Sequence, residues 1–82
     1  MRLDLFLKIS RIAKTRTEAQ RLCSAGYVSI DGTVAKASRG VATGEVIRID
    51  SGHGAKSFEI LHIPGSKQVS KAESRELTKQ ID

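Results

Sequence analysis

The hydrophobic pattern of this chain changes period once, at Gly26, which restricts it to a helical start followed by a small sheet. Before that glycine, apolar residues recur at three- and four-residue intervals. In Leu3 to Ala13, one helical side holds Leu3, Phe6, Leu7, Ser10 and Ala13, with Ile9 at its edge, while Lys8 and Arg11 lie opposite. The spacing predicts an amphipathic helix starting near Asp4. Its carboxylate suits a first turn, where it can accept free N–H groups and complement the positive helix end. Leu5 and Ile12 sit off the stripe and are expected to pack against a later element. Thr15-Arg16-Thr17-Glu18 has the T-x-x-E spacing of a capping box, so a second helix should begin with Thr15 as N-cap, run toward Ser24 and end at Gly26. Its buried side is Ala19, Leu22 and Cys23. The connection around Lys14 is short enough to demand a tight helix-turn-helix arrangement.

Beyond Gly26 the period is two. Tyr27-Val28-Ser29-Ile30, then Asp31-Gly32, then Thr33-Val34-Ala35 is the pattern of a hairpin closed by a type I′ turn, since Asp-Gly tolerates positive φ at both central positions. Val46–Ile49 and Phe58–Ile63 read as further strands, separated by a turn through Ser51-Gly52-His53-Gly54. The expected class is α+β, with two helices packed on a small, mostly antiparallel sheet over residues 1–64. Residues 65–82 read as a basic C-terminal tail, flexible or helical on binding, because only Val69, Ala72, Leu77 and Ile81 are apolar after Gly65. A helical tail would carry Lys67, Lys71, Arg75 and Lys79 four apart, with Ser70-x-x-Glu73 as a capping box.

An 82-residue chain supports one modest core. The longest apolar run is Leu5-Phe6-Leu7, so neither a transmembrane span nor a secretory signal is expected. The single cysteine cannot form an intramolecular disulfide, which agrees with a reducing, cytoplasmic setting. The net charge of +5 is unevenly spread: residues 1–39 hold eight Lys/Arg against three acids, and residues 40–82 hold six against six. A basic excess confined to one half is the footprint of a protein that meets polyphosphate.

Candidates for catalysis are few. His53 lies in a glycine-rich turn and His62 among apolar strand residues, with no ligand partner at metal-binding spacing. Cys23 falls on the apolar side of the second helix and reads as a small core residue. No enzyme activity, cofactor, metal or small-molecule substrate is therefore expected. Lys14, Arg16 and the start of the second helix are more informative. A cation in a first helical turn opposes the helix dipole, so either a bound phosphate offsets Arg16 there or an exposed arginine is simply tolerated. With no Trp, one Tyr and two Phe, of which Phe6 and Phe58 look like core, stacking platforms for single-stranded bases are lacking. The backbone and shape of a folded RNA suit this surface better. Duplex DNA would have to be read by Thr17, Gln20, Arg21 and Ser24 on a short helix.

Four pieces in order then resemble a known family: Arg2-Leu3-Asp4 with Leu7; Lys14-Thr15-Arg16-Thr17-Glu18-Ala19; Gly26-Tyr27-Val28-Ser29-Ile30-Asp31-Gly32; and Val41-x-x-Gly44-Glu45-x-Ile47. Over about residues 1–50 they resemble the S-four RNA-binding domain, the αL motif of small-subunit ribosomal protein four. Met1-Arg2-Leu3-Asp4-x-Phe6-Leu7-Lys8 and Lys36-Ala37-Ser38 look most like its small stand-alone members in ribosome quality control and heat-shock recycling. The resemblance implies docking on structured rRNA and tRNA, on the large ribosomal subunit obstructed by peptidyl-tRNA; a monomer is expected, and the short apolar runs lead to no expected membrane contact. Carried onto matching positions, the RNA surface falls on Arg2, Lys8, Arg11, Lys14 and Arg16, with Lys36, Ser38 and Arg39 as a second edge. Asp31 departs from the usual Asn, and residues 66–82 match nothing position by position. A protein-interaction module and a DNA-binding helix-turn-helix are the alternatives.

Overall fold

In the computed structural model, which describes residues 1–82, each helix ends where the local backbone forces it to. Helix α1 (Leu3–Ile9) stops four residues before the expected Ala13, because Arg11 takes the left-handed conformation at φ 64°. Its N–H donates to Lys8 O, and Ala13 N–H donates to Leu7 O at 2.9 Å. The reversal still delivers Ala13 to the core, where it is buried. Leu5, off the predicted stripe, is buried too, and Ile12 packs against the core as expected. Helix α2 (Arg16–Ser24) begins as read from the sequence: Thr15 Oγ1 accepts from Glu18 N–H at 3.0 Å, and Gly26 at φ 79° follows its end.

Strands β1 (Val28–Ile30) and β2 (Thr33–Val34) form the expected hairpin, with Asp31 at φ 49° and Gly32 at φ 87°. Those values are the pair a type I′ turn requires. Strands β3 (Val46–Asp50) and β4 (Ala55–Ile60) follow, and the sheet order is β2-β1-β3-β4 with a fifth strand beyond β4, every pair antiparallel. Strand β4 lies three residues earlier than the expected Phe58–Ile63. Pairing with β3 from Asp50↔Ala55 onward fixes its start, and the polar stretch before Phe58 concealed it.

Cross-strand partners share a face, so the register Val28↔Ile49, Ile30↔Ile47 and Ile47↔Phe58 puts one apolar side together. From that side Val28, Ile30 and Ile47 join Leu3, Phe6 and Leu7 of α1 and Ala19 and Cys23 of α2 in a single buried cluster, with Ile49 packed against it. Phe6 is fully buried, whereas Phe58 is only partly so. The accessible surface is 5021 Å², near the about 4,800 Å² that size scaling gives for a folded chain of this mass.

Residues 65–82, expected as a flexible or binding-ordered tail, are folded onto the sheet. A single turn α3 (Lys71–Ser74) is capped by Ser70, whose Oγ accepts from Glu73 N–H at 3.1 Å, and β5 (Thr78–Gln80) pairs with β4. Leu77 has no exposed surface. Its carbonyl accepts from Leu61 N–H at 2.8 Å, and Ser57 O accepts from Ile81 N–H at 2.9 Å. A strand edge with unpaired backbone groups recruits even a sparse apolar segment. One leucine and a ladder of main-chain bonds leave little trace in a hydropathy pattern. The basic stripe of Lys67, Lys71, Arg75 and Lys79 consequently does not form along one helix.

Candidate nucleic-acid interface

The centre of this surface is an acid. Asp4 has no exposed surface, and its two oxygens accept from Leu5 N–H at 2.8 Å, Gln20 Nε2 at 2.9 Å, Arg16 Nε at 3.2 Å, and Arg2 through Nε at 3.2 Å and Nη2 at 3.4 Å. Burial alone would raise its pKa. The bonds from Gln20, Arg16 and the Leu5 amide outweigh burial and hold the carboxyl below the usual carboxylate range. Asp4 therefore does more than start a helix, since it clamps α2 to α1. The cost of Arg16 in a first helical turn is offset by this carboxylate, an answer neither sequence reading contained. The signal for it was an aspartate between Leu3 and Leu5, inside a run that is otherwise core.

The eight expected contact residues separate into three kinds. Arg2, Arg16 and Arg39 are ion-paired. Arg39 forks onto Glu45, with Nη1 to Oε1 at 3.0 Å and Nη2 to Oε2 at 2.8 Å, and that contact, more than the Ala42 N–H bond, lowers the Glu45 pKa against its burial. All three guanidinium side chains stay between 39% and 51% exposed, so they are held in place and still face water. Lys8, Lys14, Lys36 and Ser38 are exposed, and their side chains have no ion-pair or hydrogen-bond partner in the chain. Arg11 donates through Nε to Ser74 Oγ at 3.0 Å.

Main-chain bonds join the two edges predicted separately. Leu3 N–H donates to Arg39 O at 2.8 Å and Asp4 N–H to Ala37 O at 3.1 Å, so residues 37–39 cap the start of α1. Lys36, Ser38 and Arg39 thus lie beside Arg2 and Arg16 at one end of α1. Lys8, Arg11 and Lys14 lie toward the other, about 10 Å away by the helical rise. There the chain forms an open cleft of about 520 Å³ lined by these three cations and by Lys67.

Cys23 is buried, and burial first, then the Asp4 charge, pushes its thiol up, which suits a core residue and disfavours a nucleophile. His53 and His62 are exposed, and no three His, Cys, Asp or Glu side chains are placed to hold a metal ion. No helix is long and apolar enough to cross a membrane.

A cationic helix pair, braced by a buried carboxylate and followed by a β-hairpin, defines an RNA-binding domain of the αL type. Residues 1–47 match the S4 domain, and the chain belongs to that family. It is 41% identical over 63 residues to the "RQC P-site tRNA stabilizing factor" of Halalkalibacterium halodurans, covering 77% of this chain and 72% of that one. The factor of the same name from Helicobacter pylori is 36% identical over 74 residues, covering 90% and 88%. The trimeric structure of Vibrio cholerae Heat Shock Protein 15 superposes with a TM-score of 0.86 at 31% identity, covering 99% of this chain and 81% of that one. The resemblance read from the motifs of residues 1–50 is borne out, as is the α+β class.

Proposed function

We propose that this protein binds structured rRNA and tRNA on the large ribosomal subunit obstructed by peptidyl-tRNA, as a cytoplasmic, non-enzymatic factor of ribosome quality control. The observation that carries the reading is the set of exposed, unpartnered cations on the helix pair and the segment beside it: Lys36 next to arginines held in place by Asp4 and Glu45, and Lys8 and Lys14 toward the other end of α1. Ordered guanidinium groups and free ammonium groups together suit a phosphate backbone of defined shape. The naming of the relatives as stabilizing factors for P-site tRNA supports the same partner. A DNA-reading helix is less well supported, since Gln20, one of the few residues α2 offers a groove, is bound to Asp4.

Co-sedimentation with separated small subunits, large subunits and peptidyl-tRNA-obstructed large subunits tests the proposal. Arg16→Glu would set a second carboxylate against buried Asp4 and disturb the fold, so Lys14→Glu is the informative variant. Preferential recovery on the obstructed large subunit, lost with Lys14→Glu and weakened by salt, is the expected result. Equal recovery on all three particles, or recovery that resists salt, would refute it.

A further inference from the structure

We propose that the cleft between the α1–α2 turn and the segment after Pro64 binds the phosphodiester backbone of RNA, with Lys67 as a phosphate ligand and Ser74 as the residue that positions Arg11. The inference rests on the RNA-binding reading above and extends the contact surface beyond residues 1–47, the part of the chain that matches the S4 domain.

Lys8, Arg11 and Lys14 form one part of the cleft lining, and Lys67, Gln68 and Val69 another. No acidic residue lines it, and none of the four cations has an ion pair. Elsewhere Arg2, Arg16, Arg39 and Arg48 sit against carboxylates, and the remaining unpaired cations, such as Lys36, Lys56 and Lys79, do not line this cleft. Four uncompensated positive charges around one opening repel one another, and a polyanion from outside relieves that repulsion more fully than water and small counterions do. At about 520 Å³ the cleft has the size of an ordinary ligand site, ample for phosphate groups of a nucleic-acid strand.

The Arg11 arrangement is the second observation. Its backbone is left-handed, a conformation uncommon for any residue with a side chain. Its Nε donates to Ser74 Oγ at 3.0 Å, and Ser74, only 1% exposed, donates in turn to Lys71 O at 2.8 Å. Both Nη nitrogens are left without a protein partner. A guanidinium gripped at Nε keeps its outer fork available for the two-point geometry of phosphate. A segment 63 residues away in sequence thereby orients a cation of the helix pair.

The test uses the full chain, a fluorescein-labelled stem-loop RNA and anisotropy titrations across a range of salt. Lys67→Ala should weaken binding about five- to tenfold near about 0.1 M salt and lower the salt slope by about one, as expected for one lost phosphate contact. Lys79→Ala, the same charge change on β5, should alter it less than about twofold. Ser74→Ala should weaken binding in the wild-type background and add nothing to Arg11→Ala, while Ser74→Thr restores it. RNA should also protect Lys8, Lys14 and Lys67 from acetylation and leave Lys79 reactive. This footprint and the Lys67 titration decide the matter even if Ser74→Ala is destabilised. The inference is overturned if Lys67→Ala behaves like Lys79→Ala, if Ser74→Ala acts equally with and without Arg11, or if polyglutamate of equal charge competes as well as RNA. Loss of binding in Lys14→Ala with none in Lys67→Ala would overturn this inference alone. A wild-type protein that binds no RNA would overturn the functional reading as well.

Discussion

Asp4→Asn isolates the contribution of the buried carboxylate to the docking of α2 on α1. One carboxylate oxygen accepts from Leu5 N–H and Arg2 Nε, and the other from Arg16 Nε, Gln20 Nε2 and Arg2 Nη2. An asparagine keeps only one of these oxygens and turns an NH₂ group toward donors in place of the other. At least two hydrogen bonds are lost, and a buried donor is left without an acceptor. Hydrogen bonds to charged groups contribute about 1.5–3 kcal/mol each, and a stranded buried polar group costs about 1–3 kcal/mol. Arg2 and Arg16 are 51% and 40% exposed and regain water, so their charge attraction is discounted. A net loss of about 2–4 kcal/mol follows. For a domain of this size each kcal/mol moves the melting temperature by about 4–8 °C, which predicts a fall of roughly 10–30 °C.

Urea denaturation should show a lower midpoint at an unchanged m-value, because the same surface is exposed on unfolding. The variant should also alter the acid limb of the stability curve. The folded-state pKa of Asp4 is depressed, so its contribution is complete above the ordinary carboxylate pKa and is lost as pH falls through the lower folded value. Wild type should therefore lose stability below about pH 5 more steeply than Asp4→Asn, whose remaining acid sensitivity comes from groups such as Glu45. A loss under about 0.5 kcal/mol at neutral pH, or parallel acid limbs, would refute the argument that this carboxylate clamps the helix pair.

Two further outcomes follow from burial. Leu77→Ala should destabilise the whole domain by about 2–5 kcal/mol in one cooperative urea transition, since Leu77 is fully buried in the common core; a separate low-urea step would show that residues 65–82 unfold independently. Cys23 should react with iodoacetamide far more slowly in the native protein than in urea, because burial raises its thiol pKa and hides the sulfur; equal rates would contradict its place in the core.

The candidate interface was legible in part. Lys8, Lys14 and Lys36 could be named from charge pattern and family resemblance, and they are exposed and unpartnered in the fold. The state of Arg2, Arg16 and Arg39 could not be read that way, because a count of charges does not say which acids reach them. Arg11 carries no local sign of a left-handed backbone, since glycine or asparagine would be the usual residue there. Lys67 joins the cleft only because the chain returns along β4.

What the sequence alone determined lies within four residues along the chain: the Thr15 cap on Glu18, the stop at Gly26, the Asp31-Gly32 turn and the alternation of Val28 with Ile30. These are interactions of neighbours, so their pattern survives without a fold around it. Only the tertiary structure decided that Asp4 would bind Arg16 and Gln20, that Leu77 would bury under the edge of β4, and that Ser74 would hold Arg11. Each brings together groups 12 to 63 residues apart or rests on an edge strand that exists only after the sheet has formed, and such contacts depend on where whole elements pack.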